Sequence, residues 1–493
     1  MARKTPNVGY IRPEAQDMIP DWELVNDCVT GQRRIKEQGE QYLPKILASR
    51  DVSENDEINA KYLQRAVFYP VTGRTLEELV GEVFLKPMDA DLPSGLVVME
   101  DDVDGGGVSL EQQAKGVLSD VLKHGRAGLL VDFPVIEPGE VVTKADLESG
   151  EFRPKIIQYT AAQVINWTVG VDKKTGNTWL ARVVLRELAD ISEDEFEKKV
   201  EVRWRVYRRE QIQLEGQEDP VWGVTVEVWR ETDASQRDTT NDETEYEIAE
   251  AKRVILQYDQ RPLPFIPFQF IGSENNDPEI DHPPLLDLAN LNISHYQNSA
   301  DVHWSAFMEG QTTVVISGLT EPWADKYMED GIFFGGGNAL LLPEGGKADL
   351  LQASPTTMAS ELMRHKEDQM KAVGARLVEP DGSKVEKTKF EVGMDKIGQV
   401  SILSKVANNV ASAYEAAFTF AEAFLAEPTG ETEISLNTEY DFGGIPLPEL
   451  MDGYFKGVLS FEEVRHNARR KGALLDEDQI ARASLAGDNP NQE

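Results

Sequence analysis

Between Pro283 and Gly310, apolar residues fall at Leu285, Ala289, Ile293, Tyr296, Ala300, Trp304 and Phe307, in steps of four and three. That spacing predicts a helix over 284–308, opened by two prolines and closed by a glycine. Twenty-five residues at about 1.5 Å each give a rod of roughly 37 Å. A second row, Asp287, Asn290, Ser294, Asn298, Asp301 and Ser305, is entirely polar and just as regular. The same segment therefore carries one oily seam and one clean polar face. The seam also suits a helix buried in an ordinary core.

The periods elsewhere divide the chain. Residues 17–87 read as helices; Thr75 and Glu78 form a capping-box pattern before Leu76, Leu79, Val80 and Val83. "DDVDGGG" reads as a loop. Ser109 with Gln112 starts another helix, Gly125 is placed to stop it, and "AGLLVDFP" follows as a buried strand. From about 152 to 272 the pattern turns to strands: "KIIQYT", "QVINWTV", "WLARVVLREL", "VEVRWRVYRRE", "VWGVTVEVWRE", "RVILQYD" and "FIPFQFIG", with a long acidic connection "TDASQRDTTNDETEYE". After the long helix come a mixed segment, 311–353, and a helix with Ser354 as N-cap and Pro355 at its first position. A charged loop leads to an alanine-rich helix from Lys396 to Ala426, and Ser460 with Glu463 caps a last one. Helical and β-rich stretches are segregated, so the fold class is α+β.

Composition narrows the chemistry. The 493 residues carry a formal charge of −37, which disfavours tight nucleic-acid binding but not passage of DNA without sticking. Cys28 is the single cysteine, so an intrachain disulfide is impossible. The N-terminus lacks the apolar run of a signal peptide, and no stretch suits a membrane span. These features predict a protein of a reducing compartment, with no membrane partner. His295 and His303 stand eight apart, and no histidine pair has metalloprotease spacing. "FFGGGNALLL" lacks the Lys-Ser/Thr of a phosphate loop, and "DDVDGGG" lacks the bidentate Glu of a calcium loop. The sequence shows no catalytic residue, no metal site and no cofactor motif, and the protein is not expected to be an enzyme.

Order carries more than motif. A long helix, a small mixed lobe, a second helix, a charged loop and a long alanine-rich helix together resemble the portal proteins, the head-tail connectors of tailed double-stranded-DNA bacteriophages. "DHPPLLDLANLNISHYQ" resembles that family's stem entry, "FMEGQTTVVISGL" its exit and "GVLSFEEVRHNARRKGAL" its C-terminal helix; "GEQYLPK" and "RAVFYPVTGRTLEELVGEVFLKP" resemble the N-terminal helices of one subgroup. The resemblance implies a wing of N-terminal helices and β-rich part over 1–280, stem helices at 281–310 and 354–377, and a clip at 311–353. It further implies a tunnel loop at 378–396, a long helix and wing return at 397–459, and a C-terminal helix with a short tail at 460–493.

It also implies a function: a dodecameric ring at one capsid vertex through which double-stranded DNA is packaged by a separate terminase and later ejected. Partners would be further copies of the chain, terminase, capsid or scaffold protein, neck and tail adaptors, and DNA without sequence specificity. The location would be the virion, with the host cytoplasm during assembly. On this reading Asp287, Asn290, Ser294, Asn298, Asp301 and Ser305 line the channel. Leu285, Tyr296, Trp304 and Phe307 pack subunits together, and Lys384, Lys387 and Lys389 sit in the tunnel loop. Two other readings stay open: an acidic polymer-degrading hydrolase with paired carboxylates, and another neck or tail structural protein.

Overall fold

A computed structural model describes residues 7–46, 51–134, 152–172, 174–213, 219–232, 245–257, 259–311, 313–318, 320–323, 342, 344–351, 358–377, 401–425 and 432–438. The expected tunnel-loop lysines, the caps at Ser354 and Ser460, and "FFGGG" lie outside them. The protein mixes helix and strand, in agreement with the α+β expectation. It divides into two compact units. One comprises 1–29, 72–289 and 372–493; the other comprises 30–71 and 290–371.

In the first unit a three-stranded antiparallel sheet holds β2 (Arg126–Asp132) between β3 (Lys155–Thr160) and β9 (Phe268–Gly272). The sequence explains its place: Ala127, Leu129, Leu130 and Val131 are all buried, so β2 is covered on both faces. Helix α6 (Leu110–His124) leads into it. Ser109 and Gln112 close the anticipated capping box, and Gly125 takes φ 70° beyond the last turn, which only glycine adopts cheaply. Alanine-rich α9 (Ile402–Leu425) packs against the same sheet. Ala407, Ala411, Ala413, Ala417 and Ala421 are buried, so the helix approaches closely. Two polar ties hold it: Tyr414 Oη donates to Gln113 Oε1 at 3.0 Å, and Asn409 Nδ2 donates to the Gly272 carbonyl at 2.9 Å. Helix α5 (Val98–Asp101), nearly all of α1 (Pro13–Thr30) and a short antiparallel pair, β1 (Asp89–Asp91) with β12 (Glu433–Ser435), also belong to this unit.

The β-rich stretch is an antiparallel meander of β4 (Val164–Val171), β5 (Thr178–Asp190), β6 (Val200–Ile212), β7 (Val221–Glu231) and β8 (Tyr246–Val254). Its last strand departs from expectation. The apolar "RVILQYD" predicted a strand beginning at Arg253, whereas β8 starts at Tyr246, in "YEIAEAKRV". As an edge strand it pairs through backbone with β7 alone and exposes much of its length, so its side chains need no apolar period. Four layers join sheet to sheet: Arg12 lies 4.4 Å above the Trp167 ring, Arg126 lies 4.0 Å from that ring and Arg126 lies 4.4 Å from Phe270.

The second unit contains α2 (Gln32–Gln38), α3 (Val52–Arg65) and a two-stranded antiparallel ladder of β10 (Thr313–Ser317) with β11 (Lys347–Leu351). Asp51 caps α3, accepting from Ser53 N at 2.9 Å and Glu54 N at 3.0 Å. Most of α7 (Leu286–Glu309) and α8 (Met358–Arg376) also belongs here. The expected wing of 1–280 included 30–71; these residues instead cluster with 290–371. Helix α4 (Val71–Val83) starts four residues before Thr75, so Thr75 lies within the helix and is not its N-cap.

Candidate functional site

Helix α7 is built much as its spacing dictates. The Leu285 amide reaches the Leu122 carbonyl at 3.3 Å, and Leu286 N returns to the Pro283 carbonyl, which fixes the helix entry. Leu285, Ala289, Ile293, Tyr296 and Ala300 are buried. Farther along, Trp304 meets Tyr62 edge-on at 5.8 Å, Phe307 lies 5.5 Å from Trp304, and the Arg65 guanidinium sits 3.8 Å from the Phe307 ring. Trp304 and Phe307 are half-buried.

Leu285 and Tyr296 were expected to pack subunits together. Both are wholly enclosed by their own chain, and Tyr296 packs on Phe68 at 5.9 Å. A side chain with no accessible surface cannot meet a neighbour, so these two are core residues. Trp304 and Phe307 keep partial exposure.

The buried side is wider than the seam. Asn292, His295 and Ser299 are also buried. Asn292 Nδ2 donates to the Tyr69 carbonyl at 2.8 Å, Gln297 Nε2 donates to the Tyr42 carbonyl at 3.0 Å, and Ser299 Oγ accepts from Val67 N at 3.3 Å. These groups satisfy backbone of 42–69 that runs without a helical or sheet ladder at those points, as buried peptide groups require. A search for apolar period passes over them because they are polar. His295 Nε2 stands 3.6 Å from Glu367 Oε1 on α8.

Between Leu286 and Ala300, the exposed positions belong to the polar row. Asp287, Asn290 and Asp301 are exposed, and Ser294, Asn298 and Ser305 are half-buried. Within it, Asp301 Oδ1 accepts from Tyr62 Oη at 2.7 Å. The row thus runs along a 24-residue helix whose other faces are largely covered from Leu286 to Ala300, beyond which His303, Ala306 and Met308 are also exposed. Lys384, Lys387 and Lys389 lie outside the described residues.

Several groups with catalytic potential elsewhere among the described residues are engaged in structure. Burial pushes the Cys28 thiol up to about 12, with Asp27 adding to the effect. His124 is buried, with Nε2 2.8 Å from Asn26 Nδ2. In "DDVDGGG", Asp102 accepts from Gly105 N and Gly107 N, and Asp104 accepts from Gly106 N. Two of the loop's carboxylates thus bind its own amides, and Asp102 also accepts from Arg153 Nη2. Tyr159, Glu187 and Arg205 form a hydrogen-bonded chain, Arg205 Nε reaching Glu187 Oε1 at 2.9 Å.

The fold and this stripe define an α+β chain whose most distinctive part is a helix–ladder–helix block followed by a long alanine-rich helix. A family described as a domain of unknown function (DUF4055) matches residues 284–425, the same block and less than a third of the chain. No curated protein matches. Among solved structures, a chain of a native gene transfer agent virion is similar at 12% identity and TM-score 0.37, covering 93% of this chain and 99% of that one. A chain from the neck of an empty gene transfer agent particle, computed with C6 symmetry, is similar at 14% identity and TM-score 0.36, covering 85% and 94%. Likeness this distant transfers no residue role to this chain.

Proposed function

We propose that this chain is a structural subunit of a phage-like particle, and specifically a portal-type subunit whose copies close into a ring around a DNA channel. The observation that carries the reading is the stripe on α7. A rod of about 36 Å is covered by its own chain on most faces from Leu286 to Ala300 and carries a hydrophilic row along its length. In a ring of subunits such a row lines a tunnel. Its chemistry suits sliding: hydroxyls, amides and two carboxylates, with no Lys or Arg in the six positions. Duplex DNA carries about one negative charge per 1.7 Å, so a basic lining would grip it, whereas a neutral-to-acidic one does not. The β10–β11 ladder between the two helices takes the position of the clip, for terminase and later neck proteins. The loop at 378–396 takes that of the tunnel loop.

Head-to-tail contacts that close give such rings. Mass photometry of the purified chain is expected to show an assembly near twelve copies, and negative-stain images a ring with a central hole. A chain that stays monomeric across concentration and salt contradicts the ring. A closed ring that neither carries DNA nor joins terminase would make it another neck component.

A further inference from the structure

Residues 273–283, which carry the chain from β9 into α7, are folded as a strap. Ser273 N donates to the Gly125 carbonyl at 3.1 Å, Ser273 Oγ to the His282 carbonyl at 3.0 Å and Asn276 Nδ2 to the Asn409 carbonyl on α9 at 2.8 Å. One carboxylate closes it: Asp281 Oδ2 accepts from Glu274 N at 2.6 Å and from Asn275 N at 3.3 Å. The floor is bare backbone. A Cβ on Gly125 would strike the Asp281 carbonyl, and one on Gly272 would strike the Asp281 carboxylate and the Asn275 carbonyl. Glycine at both positions lets the strap rest directly on the end of the three-stranded sheet.

Gly272 is the cross-strand partner of Arg126. Residues directly opposite in an antiparallel pair put their side chains on one face, with Cβ atoms about 5 Å apart. The Asp281 carboxylate stands where a Gly272 side chain would be, and so takes the place of Arg126's cross-strand neighbour. Arg126 is 1% exposed, lies over the Trp167 and Phe270 rings, and has no hydrogen bond on any guanidinium nitrogen among the described residues. Aromatic faces replace part of the lost hydration, but a buried cation also needs a countercharge. Burial and the nearby Arg12 push its pKa down, and Asp281 and Asp277 pull it up. For Asp281, burial pushes the carboxyl up, the two amides pull it down, and Glu274 and Asp277 add repulsion. Each charge is costly alone where the closed strap holds it, and the opposite charge across Gly272 offsets that cost.

We propose that Arg126 and Asp281 form a through-space latch that keeps the 273–283 strap closed and so fixes the first turn of α7. The strap ends at Pro283, whose carbonyl accepts from Leu286 N at 3.1 Å, and Leu285 N binds the Leu122 carbonyl at 3.3 Å. Opening the strap hydrates both charges and frees that turn, while the β2–β9 ladder stays paired. The latch is an element of one chain and stands whether or not copies close into a ring.

The test is amide hydrogen exchange of the full-length protein, read on peptides covering 272–289. Arg126→Met is expected to speed exchange of the strap amides at least about fivefold, because the Asp281 charge is then held without its attraction. Arg126→Lys keeps the charge and should stay within about twofold of wild type. Asp281→Asn keeps an acceptor for both strap amides and removes only the charge. In that background Arg126→Met should change exchange less than about twofold, whereas in an Asp277→Asn background its full effect persists. Equal acceleration with and without the Asp281 charge means that Arg126 acts by packing alone and overturns the latch, as does a wild-type rate in Arg126→Met. Soluble yield carries the test if Arg126→Met does not fold by itself: folding restored by Asp281→Asn upholds the coupling, and failure in both backgrounds overturns it.

Discussion

His124 shows how burial converts a reactive side chain into a structural one. Its ring sits edge-on to Trp22 at 6.3 Å, its carbonyl accepts from Trp22 Nε1 at 2.8 Å, and desolvation pushes its pKa down to about 4, against a smaller opposing pull from Asp120. The folded protein therefore keeps the ring neutral where the unfolded chain protonates it. Between the ordinary value near 6.5 and about 4, the unfolded state binds the extra proton, so stability falls as pH falls. The loss approaches roughly 3 kcal/mol at pH 4, on the order of one buried apolar side chain. Urea melts at pH 7.5 and 5 are expected to show a smaller pH difference for His124→Gln than for wild type. Equal differences would mean the ring takes up its proton in the fold. Arg126 is the opposite case: buried, flanked by two aromatic faces, and with none of its guanidinium nitrogens hydrogen-bonded among the described residues. Aromatic faces replace water for this cation.

At the level of the element, α7 separates two jobs by face. Tyr296 fills core, so Tyr296→Ala is expected to destabilise the protein by about 3–5 kcal/mol. Asn292→Ala removes the bond from Asn292 Nδ2 to the Tyr69 carbonyl, which keeps Val71 N as a donor, and is expected to cost about 1 kcal/mol. Asp287→Asn and Asn298→Lys, on the stripe, should stay within about 0.5 kcal/mol of wild type. Chemical denaturation of the four variants measures all of this. Large losses from the stripe variants would mean that face is a core face and could not line a channel. The apolar steps made the helix legible, and Ser109 and Gly125 marked the two ends of α6 through their residue types alone. Strand β8 was not legible, because an edge strand is specified by backbone pairing to β7 more than by its own side chains. Thr75 misled because a capping pattern within a helix looks the same in sequence as one at its start.

For the molecule as a whole, charge is the property that reaches farthest. A net −37 keeps phosphate off most of the surface, so any hold on DNA must come from local exceptions. We propose Lys384, Lys387 and Lys389 as such exceptions, in a loop whose place in the chain order matches a tunnel loop. Changing all three to Ser should leave ring assembly intact and weaken retention of double-stranded DNA by the assembled rings. Each lost phosphate contact lowers the dependence of binding on salt by roughly one in log–log slope. Retention and salt slope both equal to wild type would assign the loop to the outer surface as a linker.

The sequence by itself determined the periods, and with them the long helix, its polar row, the alanine-rich α9 and the segregation of helix from strand, because those follow from which side chains water excludes. Only the tertiary structure decided which surfaces are spent inside one chain. It enclosed Leu285 and Tyr296, which an isolated period cannot tell from interface residues, since both kinds are apolar and both need a partner. It drew 30–71 to α7 through Asn292, Gln297 and Ser299, polar residues whose partners are backbone groups more than 200 positions away. Contacts that distant leave no local pattern, so the chain had to fold before they could be read.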